Sequence, residues 1–508
     1  MMWAVYGITF LLFVQHAASY NILVLFGHMG KSHYDVFKPL FQELGERGHN
    51  ITILSHVKTQ GDIKNSRDVL LSNVPLVNHL DLKHFTQSHL QRYTEVAFLA
   101  YFSDFACNSS LQSEELQKFL QEDQHFDVIL AEFFNSNCLY GLITKYKAPF
   151  IGLSSCAMMH WHPRWFGAPD NPAYVNSIYM AYPAPMSFLQ RMENTLMHLV
   201  NIFWYKTYME QPGREYSLKY TGFEPADPHQ ASLLLVNTHY TLHGVQPLTP
   251  AIVEVGGLHV TNKKPKKLPE DVERWTNEST SGLIYFSLGS LIKGHTFPEG
   301  QLGAFMKVFS KLPQRVLWKW EEQTMKDKPD NIMLTEWAPQ YDVLCHPNTV
   351  LFISHGGLLG TTEAIHCGVP VIVMPQFGDQ RMNAKLLEKQ GAGVILKLLD
   401  ATEETITEAL TKALSKVTRQ KAKELSNRFR DRLVSPLESS VYWIEHVARH
   451  KGAKHLRSEA IEMPFYQYLL LDVIGCLLIG ILALLYAARK IGLLIVRTCC
   501  GGKKKKLL

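Results

Sequence analysis

The sequence lacks the residue patterns that usually mark a metal site. It has no Cys-x-x-Cys pair, and no third or fourth ligand accompanies the histidine pair His160 and His162. We interpret that pair as part of an aromatic pocket wall and expect no metal. Five cysteines are scattered along the chain before its C-terminal segment, and no disulfide framework can be read from their odd number and spacing: Cys107, Cys138, Cys156, Cys345 and Cys367.

An excess of positive charge is also missing from most of the chain. Lysine and arginine number 51 against 46 aspartates and glutamates. Seven of these cations follow Asp472, however, and the rest of the chain has 44 basic and 46 acidic residues. A basic surface for nucleic acid is therefore not expected. The length of 508 residues, 46% of them hydrophobic, predicts at least two domains with sizeable cores.

The first 19 residues predict a secretory signal peptide. Residues 3–14 are apolar and precede the small residues Ala17, Ala18 and Ser19. Because no lysine or arginine precedes the apolar run, an uncleaved anchor is the alternative, although the run is short for a membrane span. Three Asn-x-Ser/Thr sequons fit a glycoprotein whose body lies in the lumen of the secretory pathway: Asn50, Asn108 and Asn277.

Residues 469–488 predict a single transmembrane helix. This run is apolar, with Asp472 as its one charge, and it is long enough to span a bilayer. Arg489 and Lys490 follow it and predict a cytosolic tail, 489–508, and hence a type I membrane protein. The third and fourth residues from the carboxyl end are lysines, which resembles the di-lysine signal for retrieval to the endoplasmic reticulum. A plain polybasic flank is the alternative.

The chain is organised around residues 351–380. An apolar run ends in a Gly-rich turn, a short helical pattern follows, and a second apolar run ends in a polar loop. This order predicts a βαβ unit of a parallel sheet, and ligands bind beyond the carboxyl ends of such strands. A Gly-rich turn before a helix favours a diphosphate, and nearby carboxylate and amide side chains can bind several hydroxyls. Diphosphate and polyol together indicate a nucleotide sugar.

A similar unit is predicted at the start of the chain, where residues 21–26 form an apolar strand. The turn after this strand, Gly27-x-x-Gly30-Lys31-Ser32, is similar to a P-loop. The first glycine of that motif would have to stand at Leu25, inside the strand, so the spacing does not fit ATP binding.

Residues 352–380 resemble the signature of the UDP-glycosyltransferase family, and in particular its membrane-bound invertebrate branch. The matching residues are Ser354, His355, Gly356, Gly357, Glu363, Pro370, Pro375, Asp379 and Gln380. The resemblance implies the α/β fold called GT-B, in which two Rossmann-like doubly wound domains face a cleft. It implies an acceptor-binding domain (residues 20–260), a polar linker (261–281) and a UDP-sugar-binding domain (282–435). A helix that crosses back to the first domain and a stalk would follow (436–468).

The resemblance also implies roles for ten donor-binding residues. Trp337 would stack on uracil, Gln340 would read the base or ribose, and Glu363 would bind the ribose hydroxyls. Asp379 and Gln380 would bind the sugar hydroxyls. The diphosphate would lie against Ser290, His355, Gly357, Gly360 and Thr361.

The family places its general base at the position of His33, and the partner that orients this base at the position of Glu132. An imidazole suits the task because its pKa lies near neutrality. The family has aspartate where this chain has Glu132. Of the alternatives, Asp127 stands at the wrong end of its strand and Asn137 carries no charge, while His28 is a second candidate for the base.

The resemblance thus implies an inverting hexosyltransferase that moves a sugar, glucose by analogy, from a UDP-sugar to a hydroxyl of a small lipophilic acceptor, as detoxification requires. The absence of Asp-x-Asp agrees with a mechanism that needs neither metal nor cofactor beyond the UDP-sugar co-substrate. The alternative is a lumenal scaffold that binds nucleotide sugars or glycans without turnover. A polysaccharide synthase fits poorly because one anchor forms no export channel. The sequence leaves the acceptor and the oligomeric state open.

Overall fold

The computed structural model describes residues 19–59, 61–71, 81–82, 89–182, 185–322 and 324–501. The predicted signal peptide, apart from Ser19, and the lysine-rich end of the tail lie outside these residues. The described chain divides into two compact units, residues 1–457 and 458–508.

A seven-stranded parallel sheet forms the first half of the larger unit, in the order β3-β2-β1-β4-β5-β6-β7. Its strands read as continuous apolar runs because helices cover both faces. The strands are β1 (Asn21–Phe26), β2 (Asn50–Ser55), β3 (Ser66–Leu70), β4 (Val128–Glu132), β5 (Phe150–Ser154), β6 (Leu233–Val236) and β7 (Ile252–Glu254). The helices are α1 (Lys31–Glu46), α2 (Gln91–Leu111), α3 (Glu114–Leu120), α4 (Gly141–Tyr146), α5 (His162–Trp165), α6 (Phe188–Tyr205), α7 (Gln211–Thr221) and α8 (Tyr240–His243).

The second half contains a six-stranded parallel sheet in the order β10-β9-β8-β11-β12-β13. Its strands are β8 (Leu283–Ser287), β9 (Arg315–Lys319), β10 (Ile332–Thr335), β11 (Thr349–Ser354), β12 (Val371–Val373) and β13 (Gly393–Ile395). The helices of this half, with the segment before it, are α9 (Glu270–Asn277), α10 (Glu299–Phe309), α11 (Gln340–Leu344), α12 (Leu358–Cys367), α13 (Gln380–Lys389), α14 (Glu403–Ala413) and α15 (Lys416–Arg430). Two parallel Rossmann-like domains are therefore present, as the GT-B expectation requires.

The segment between the domains is more structured than a polar linker. Helix α9 lies inside it and buries Val272, with Leu268 just before it, in the core of the second domain. The sequence shows mainly the lysines of this segment, and one of them, Lys263, lies 4.5 Å above the ring of Tyr341. Helix α9 has only two apolar residues, Val272 and Trp275, which are too few to indicate an amphipathic helix from the sequence.

The last helix of the larger unit, α16 (Pro436–His450), packs against α1 and β4 of the first domain. Its apolar face joins the core of that domain through Leu437, Val441, Ile444 and Val447. At its solvent side Glu438 accepts a hydrogen bond from Arg47 of the first domain at 2.5 Å. The chain thus returns to its first domain after completing the second.

Two disulfides are present, although no pairing could be predicted from the cysteine spacing. Cys107 of α2 is bonded to Cys138, and Cys345 is bonded to Cys367 at the end of α12. Cys156 is buried and unpaired, which accounts for the odd number. The spacing could not reveal these pairs because each bond joins two separate elements that only the fold brings together.

The smaller unit contains two helices, α17 (Phe465–Tyr468) and α18 (Leu471–Gly501). Within α18, the 29 residues Leu471–Cys499 are long and apolar enough to cross a membrane, and no other described helix of the chain meets this condition. The helix extends past the predicted end of the span at 488, because Arg489 and Lys490 end an apolar run without interrupting helical hydrogen bonding.

Candidate active site

The proposed base and its partner meet at the carboxyl ends of β1 and β4, which are neighbours in the first sheet. His33 lies in the first turn of α1, and Glu132 is the last residue of β4. Nδ1 of His33 is 3.1 Å from Oε1 of Glu132. The other carboxylate oxygen accepts the backbone N–H of His28 at 2.8 Å. The glutamate therefore reaches the imidazole in the place where the family has an aspartate.

A third residue, Ser155, contacts the same ring nitrogen and was missed at the sequence level. Its hydroxyl oxygen lies 2.6 Å from Nδ1 of His33. It follows β5, the strand next to β4, so strand order alone could have placed it near Glu132. A carboxylate can only accept hydrogen bonds, so an ionised Glu132 holds the proton on Nδ1 and leaves the lone pair on Nε2.

Burial controls the charge of this group. It lowers the pKa of His33 to about 4 and the pKa of His28, whose ring is 4.2 Å away, to about 3. It raises the pKa of the Glu132 carboxyl to about 7. The His33 side chain keeps 20% of its surface exposed, against 4% for Glu132. A neutral, partly accessible imidazole that is backed by a buried carboxyl can accept a proton.

The alternative partners of the base lie elsewhere. Asp127 accepts the backbone N–H of Asn21 at the first residue of β1, the opposite end of the sheet. Asn137 is buried, and its Oδ1 faces α7 so closely that a Cβ on Gly213 would lie 2.1 Å from it. Among the described residues, the hydrogen bonds of the His33 imidazole are to Glu132 and Ser155 and not to either of these two.

The turn after β11 requires glycine twice. Gly356 has a φ of +89°, and a Cβ on it would lie 2.5 Å from Cγ1 of Val373. A Cβ on Gly357 would lie 2.5 Å from Nε2 of His355. Gly357 is the N-cap of α12, and no side chain caps this helix there. The first N–H groups of α12 are thus available to an anion.

The other predicted diphosphate residues surround this turn. The His355 ring also lies against Gly289, whose Cβ would come within 2.6 Å of it, and burial lowers the pKa of His355 to about 4. Ser290 is exposed at the neighbouring strand end, and Thr361 is buried in the first turns of α12. Gly360 faces Gln340, because a Cβ there would meet the amide nitrogen of Gln340 at 3.0 Å.

The residues predicted to bind uridine and ribose are in contact with one another. The amide of Gln340 donates to Oε2 of Glu363 at 2.7 Å, which aligns the two polar side chains of α11 and α12. Burial raises the pKa of Glu363 to about 7. Trp337 is 67% exposed just before α11, so its indole face is open. An exposed indole beside a paired amide and carboxyl suits a base and a diol.

Asp379 and Gln380 begin α13 and are both held by local hydrogen bonds. Oδ2 of Asp379 accepts from the amide of Asn383 at 3.0 Å, and Asn383 also donates to the carbonyl of Gly356. Oε1 of Gln380 accepts the backbone N–H groups of Gln376 and Phe377 at 2.8 and 3.2 Å. The amide nitrogen of Gln380 is therefore the end that can face a sugar hydroxyl.

Asn383 was not predicted, although its position four residues after Asp379 places both on one face of α13. Burial raises the pKa of Asp379 to about 6, the hydrogen bond from Asn383 opposes this shift, and the charge of Glu95 adds to it. The charge of Glu95, a residue of the first domain that is paired with Arg381, thus acts on Asp379.

The loop before α13 lies directly against the first domain. Glu95 of α2 accepts the N–H of Gly378 at 2.9 Å and forms an ion pair with Arg381 at 2.7 Å. On the same side, burial and the charge of Asp379 raise the pKa of the Cys156 thiol, and Cys156 directly follows the serine that contacts His33. The loop that bears Asp379 thus lies against the domain that carries His33.

A cavity of about 470 Å³ lies between the first domain and α13. Its wall combines polar and charged side chains, such as Asp170 and Lys385, with apolar and aromatic ones, such as Met158, Tyr174, Ile178, Tyr182 and Met382. His160 lies in this wall and His162 is fully buried beside Trp165, so neither is arranged with a set of metal ligands. Among the described residues no group of three or more histidine, cysteine or acidic side chains could hold a metal ion.

Comparison with known proteins identifies the family. The family model described as UDP-glucoronosyl and UDP-glucosyl transferase matches residues 22–506. The chain belongs to the UDP-glycosyltransferase family. This glycosyltransferase is 37% identical to UDP-glycosyltransferase UGT5 of Dactylopius coccus over 96% of its own length and 95% of the relative. It is 31% identical to human UDP-glucuronosyltransferase 1A9 over 94% of its own length and 92% of that protein.

The fold of this UDP-glycosyltransferase is also found among solved structures. The crystal structure of the glycotransferase of kitacinnamycin matches it with a TM-score of 0.56 at 17% identity, covering 84% of this chain and 99% of that one. This likeness supports the GT-B architecture. Membership in the family makes the chain an enzyme that transfers sugar from a UDP-sugar.

Proposed function

We propose that this glycosyltransferase moves glucose from UDP-glucose to a hydroxyl of a small lipophilic acceptor, with inversion at the anomeric carbon. The observation that carries the proposal is the His33–Glu132 contact at 3.1 Å in the first domain, to which the loop that bears Asp379 is bonded through Glu95. One domain supplies a base and the other supplies side chains for a nucleotide and a sugar.

The donor would be held by the second domain. Trp337 and the Gln340–Glu363 pair take uridine, and the diphosphate lies at the uncapped start of α12 with Ser290, His355, Gly360 and Thr361 around it. The α12 N–H groups stabilise the negative charge that develops on the leaving diphosphate. These groups are fixed by the fold before the reaction, so little reorganisation is needed.

The transfer is a single displacement, in which one bond forms at the anomeric carbon as another breaks. Nε2 of His33 accepts the proton of the acceptor hydroxyl while its oxygen forms a bond to the anomeric carbon. The bond from that carbon to the diphosphate oxygen breaks, and its electron pair leaves with UDP. An ionised Glu132 stabilises the imidazolium through Nδ1–H. Attack from the face opposite UDP converts an α-linked donor into a β-glycoside.

The charges near Asp379 favour a neutral hexose over a uronic acid. Arg381, the cation of this loop, is already bound to Glu95 and to the carbonyl of Gln376 at 2.9 Å. A sugar carboxylate beside Asp379 would meet the like charge of that carboxylate, and Arg381, engaged by Glu95, would not offset the repulsion. We therefore infer UDP-glucose as the donor. The apolar and aromatic part of the wall of the cavity of about 470 Å³, which includes Met158, Tyr174 and Met382, supports a lipophilic acceptor.

The location that we propose is the membrane of the endoplasmic reticulum, with the two domains in the lumen. The apolar helix α18 would be the anchor, and the lysines at the carboxyl end would be the retrieval signal. All three sequon asparagines are exposed, and the two disulfides fit an oxidising compartment.

A donor-by-acceptor screen tests the function. Full-length protein in detergent is mixed with UDP-glucose, UDP-glucuronate or UDP-galactose and a panel of phenols and alcohols, with a chelator present, and UDP release and product anomer are measured. We expect β-glucosides and at least about tenfold preference for UDP-glucose over UDP-glucuronate. Preference for the uronate contradicts the donor assignment. Tight UDP binding with no turnover across the panel would instead indicate the scaffold.

The pH dependence of the reaction follows from the raised pKa of Glu132. Below about pH 7 the carboxyl is protonated and can donate to Nδ1 of His33, which puts the ring proton on Nε2 and removes the base. We expect kcat/KM for an alcohol acceptor to rise as pH increases through about 7. The His33 pKa of about 4 adds no further change near neutrality.

The variant Glu132→Gln is the control for this profile. Its amide does not titrate, so the rise near pH 7 should disappear and the rate should be low at every pH. If kcat/KM of this variant still rises near pH 7, a group other than Glu132 controls that rise. Circular dichroism across the same range excludes unfolding as the cause.

A further inference from the structure

One ion pair joins the two domains at the loop that bears Asp379. Glu95 projects from the first turns of α2, in the first domain, and its Oε2 accepts the N–H of Gly378 at 2.9 Å. Its Oε1 pairs with a guanidinium nitrogen of Arg381 at 2.7 Å. Both side chains are nearly buried, with 10% and 11% of their surface exposed. Each oxygen of the carboxylate thus holds a different point of the same loop.

The loop is closed by bonds of its own around this carboxylate. The second guanidinium nitrogen of Arg381 donates to the carbonyl of Gln376 at 2.9 Å, and the amide of Gln91, one turn before Glu95, donates to that carbonyl at 3.3 Å. The N–H of Gln376 in turn binds the side chain of Gln380. Residues 376–381 are therefore tied into one network whose anchor lies in the other domain.

The position of the contacts decides what the network can affect. Gly378 directly precedes Asp379, and Arg381 directly follows Gln380. Gly378 has a φ of +62°. Because glycine adopts positive and negative φ with similar ease, this residue alone does not hold the loop in one conformation. Side chains that bind a reacting group need to be held closely, since a displacement of about 1 Å can reduce a rate about 100-fold.

We propose that Glu95 is a positioning residue, which holds Asp379 and Gln380 in register with the donor sugar from the domain that binds the acceptor. The inference depends on the proposed role of these two residues in binding the sugar. Glu95 itself contacts no reacting atom in this account. If Glu95 has this role, the acceptor domain helps to determine how the donor sugar is held. Uridine binding at Trp337, Gln340 and Glu363 is then independent of Glu95.

The test compares Glu95→Gln and Arg381→Met with the wild-type full-length protein. Glu95→Gln keeps an oxygen for Gly378 but loses the charge, and Arg381→Met keeps much of the side-chain volume but loses both donors. Calorimetry gives the Kd of UDP and of UDP-glucose, and initial rates give kcat and KM. We expect kcat to fall about 10- to 100-fold, and the affinity gained from the sugar to shrink, with the Kd of UDP within about twofold.

A double-mutant cycle makes the result specific to the pair. If Glu95 acts through Arg381, the double variant should be no worse than the poorer single variant. Arg381→Lys, which retains a cation, should recover part of the rate. Thermal unfolding of each variant identifies any loss that comes from misfolding alone.

The matched control is Gln390→Ala. Gln390 follows the other end of α13, and its amide donates to the carbonyl of Thr241 in the first domain at 2.9 Å, so the variant also removes a contact between the domains. We expect it to leave kcat and both Kd values within about twofold.

Three outcomes overturn the inference. The first is wild-type kinetics in both variants, the second is an equal loss in Gln390→Ala, and the third is a matching loss of UDP affinity. Failure of the proposed function would differ, because the wild type itself would then release no UDP. The sugar-dependent part of donor affinity would still report on Glu95 in that case.

Discussion

Replacing His33 with alanine should reduce kcat/KM about 10³-fold and leave the Kd of UDP unchanged. The imidazole is the group at the cleft whose neutral form can take the proton of the acceptor, and general-base catalysis contributes about 10²- to 10⁴-fold. UDP binding should persist because the donor residues belong to the second domain. Single-turnover rates and UDP calorimetry on the same preparation measure both quantities.

The second histidine of the cleft provides the comparison for this variant. His28 lies 4.2 Å from His33 and gives its backbone N–H to Glu132, and the charge of Glu132 acts on its ring, but the imidazole that is hydrogen-bonded to this carboxylate is that of His33. We expect His28→Ala to lose much less activity than His33→Ala. The reverse order would assign the base to His28. Equal and complete loss of UDP binding in either variant would indicate damage to the fold.

Replacing Asp379 with asparagine should raise the KM for UDP-glucose and lower kcat/KM about 10- to 100-fold. A hydrogen bond to a charged group contributes about 1.5–3 kcal/mol, and the carboxylate of Asp379, which accepts from Asn383, is the group proposed to bind a sugar hydroxyl. The asparagine keeps the shape but presents a neutral amide. Affinity for UDP alone should not change.

Asp400→Asn is the matched control for this substitution. Asp400 lies in the same domain, but its side chain is 67% exposed and pairs only loosely with Lys397 at 3.6 Å. The activity of this variant should match that of the wild type. If Asp379→Asn behaved in the same way, or if it lost UDP and UDP-glucose binding equally, the carboxylate would have no specific role in holding the sugar.

Residues close together in sequence were the predictable part of this molecule. The apolar strands and the turn at Gly356 and Gly357 follow from local composition, because buried parallel strands and positive φ leave little choice of residue type. The family signature then placed the donor side chains in one half and His33 in the other. Glu132, chosen by strand position, does contact His33.

Contacts between distant segments were the unpredictable part. Ser155 approaches His33 only because β5 pairs with β4, and Glu95 reaches Arg381 only because α2 faces α13 across the cleft. Neither relation leaves a periodic trace in the sequence. The same holds for the two disulfides, and for α9, whose two apolar residues follow a lysine-rich stretch.

The bond between Cys345 and Cys367 closes a loop of the chain around residues that we propose to bind uridine. Gln340 begins the helix that leads to one sulfur, and Glu363 lies one turn before the other, so this single covalent link fixes the spacing of the two polar side chains. In a reducing cytoplasm this disulfide would not form. We expect protein made there to bind the nucleotide weakly, even if its catalytic residues are correctly placed. Production through an insect or yeast secretory route therefore suits this protein better than bacterial cytosolic expression.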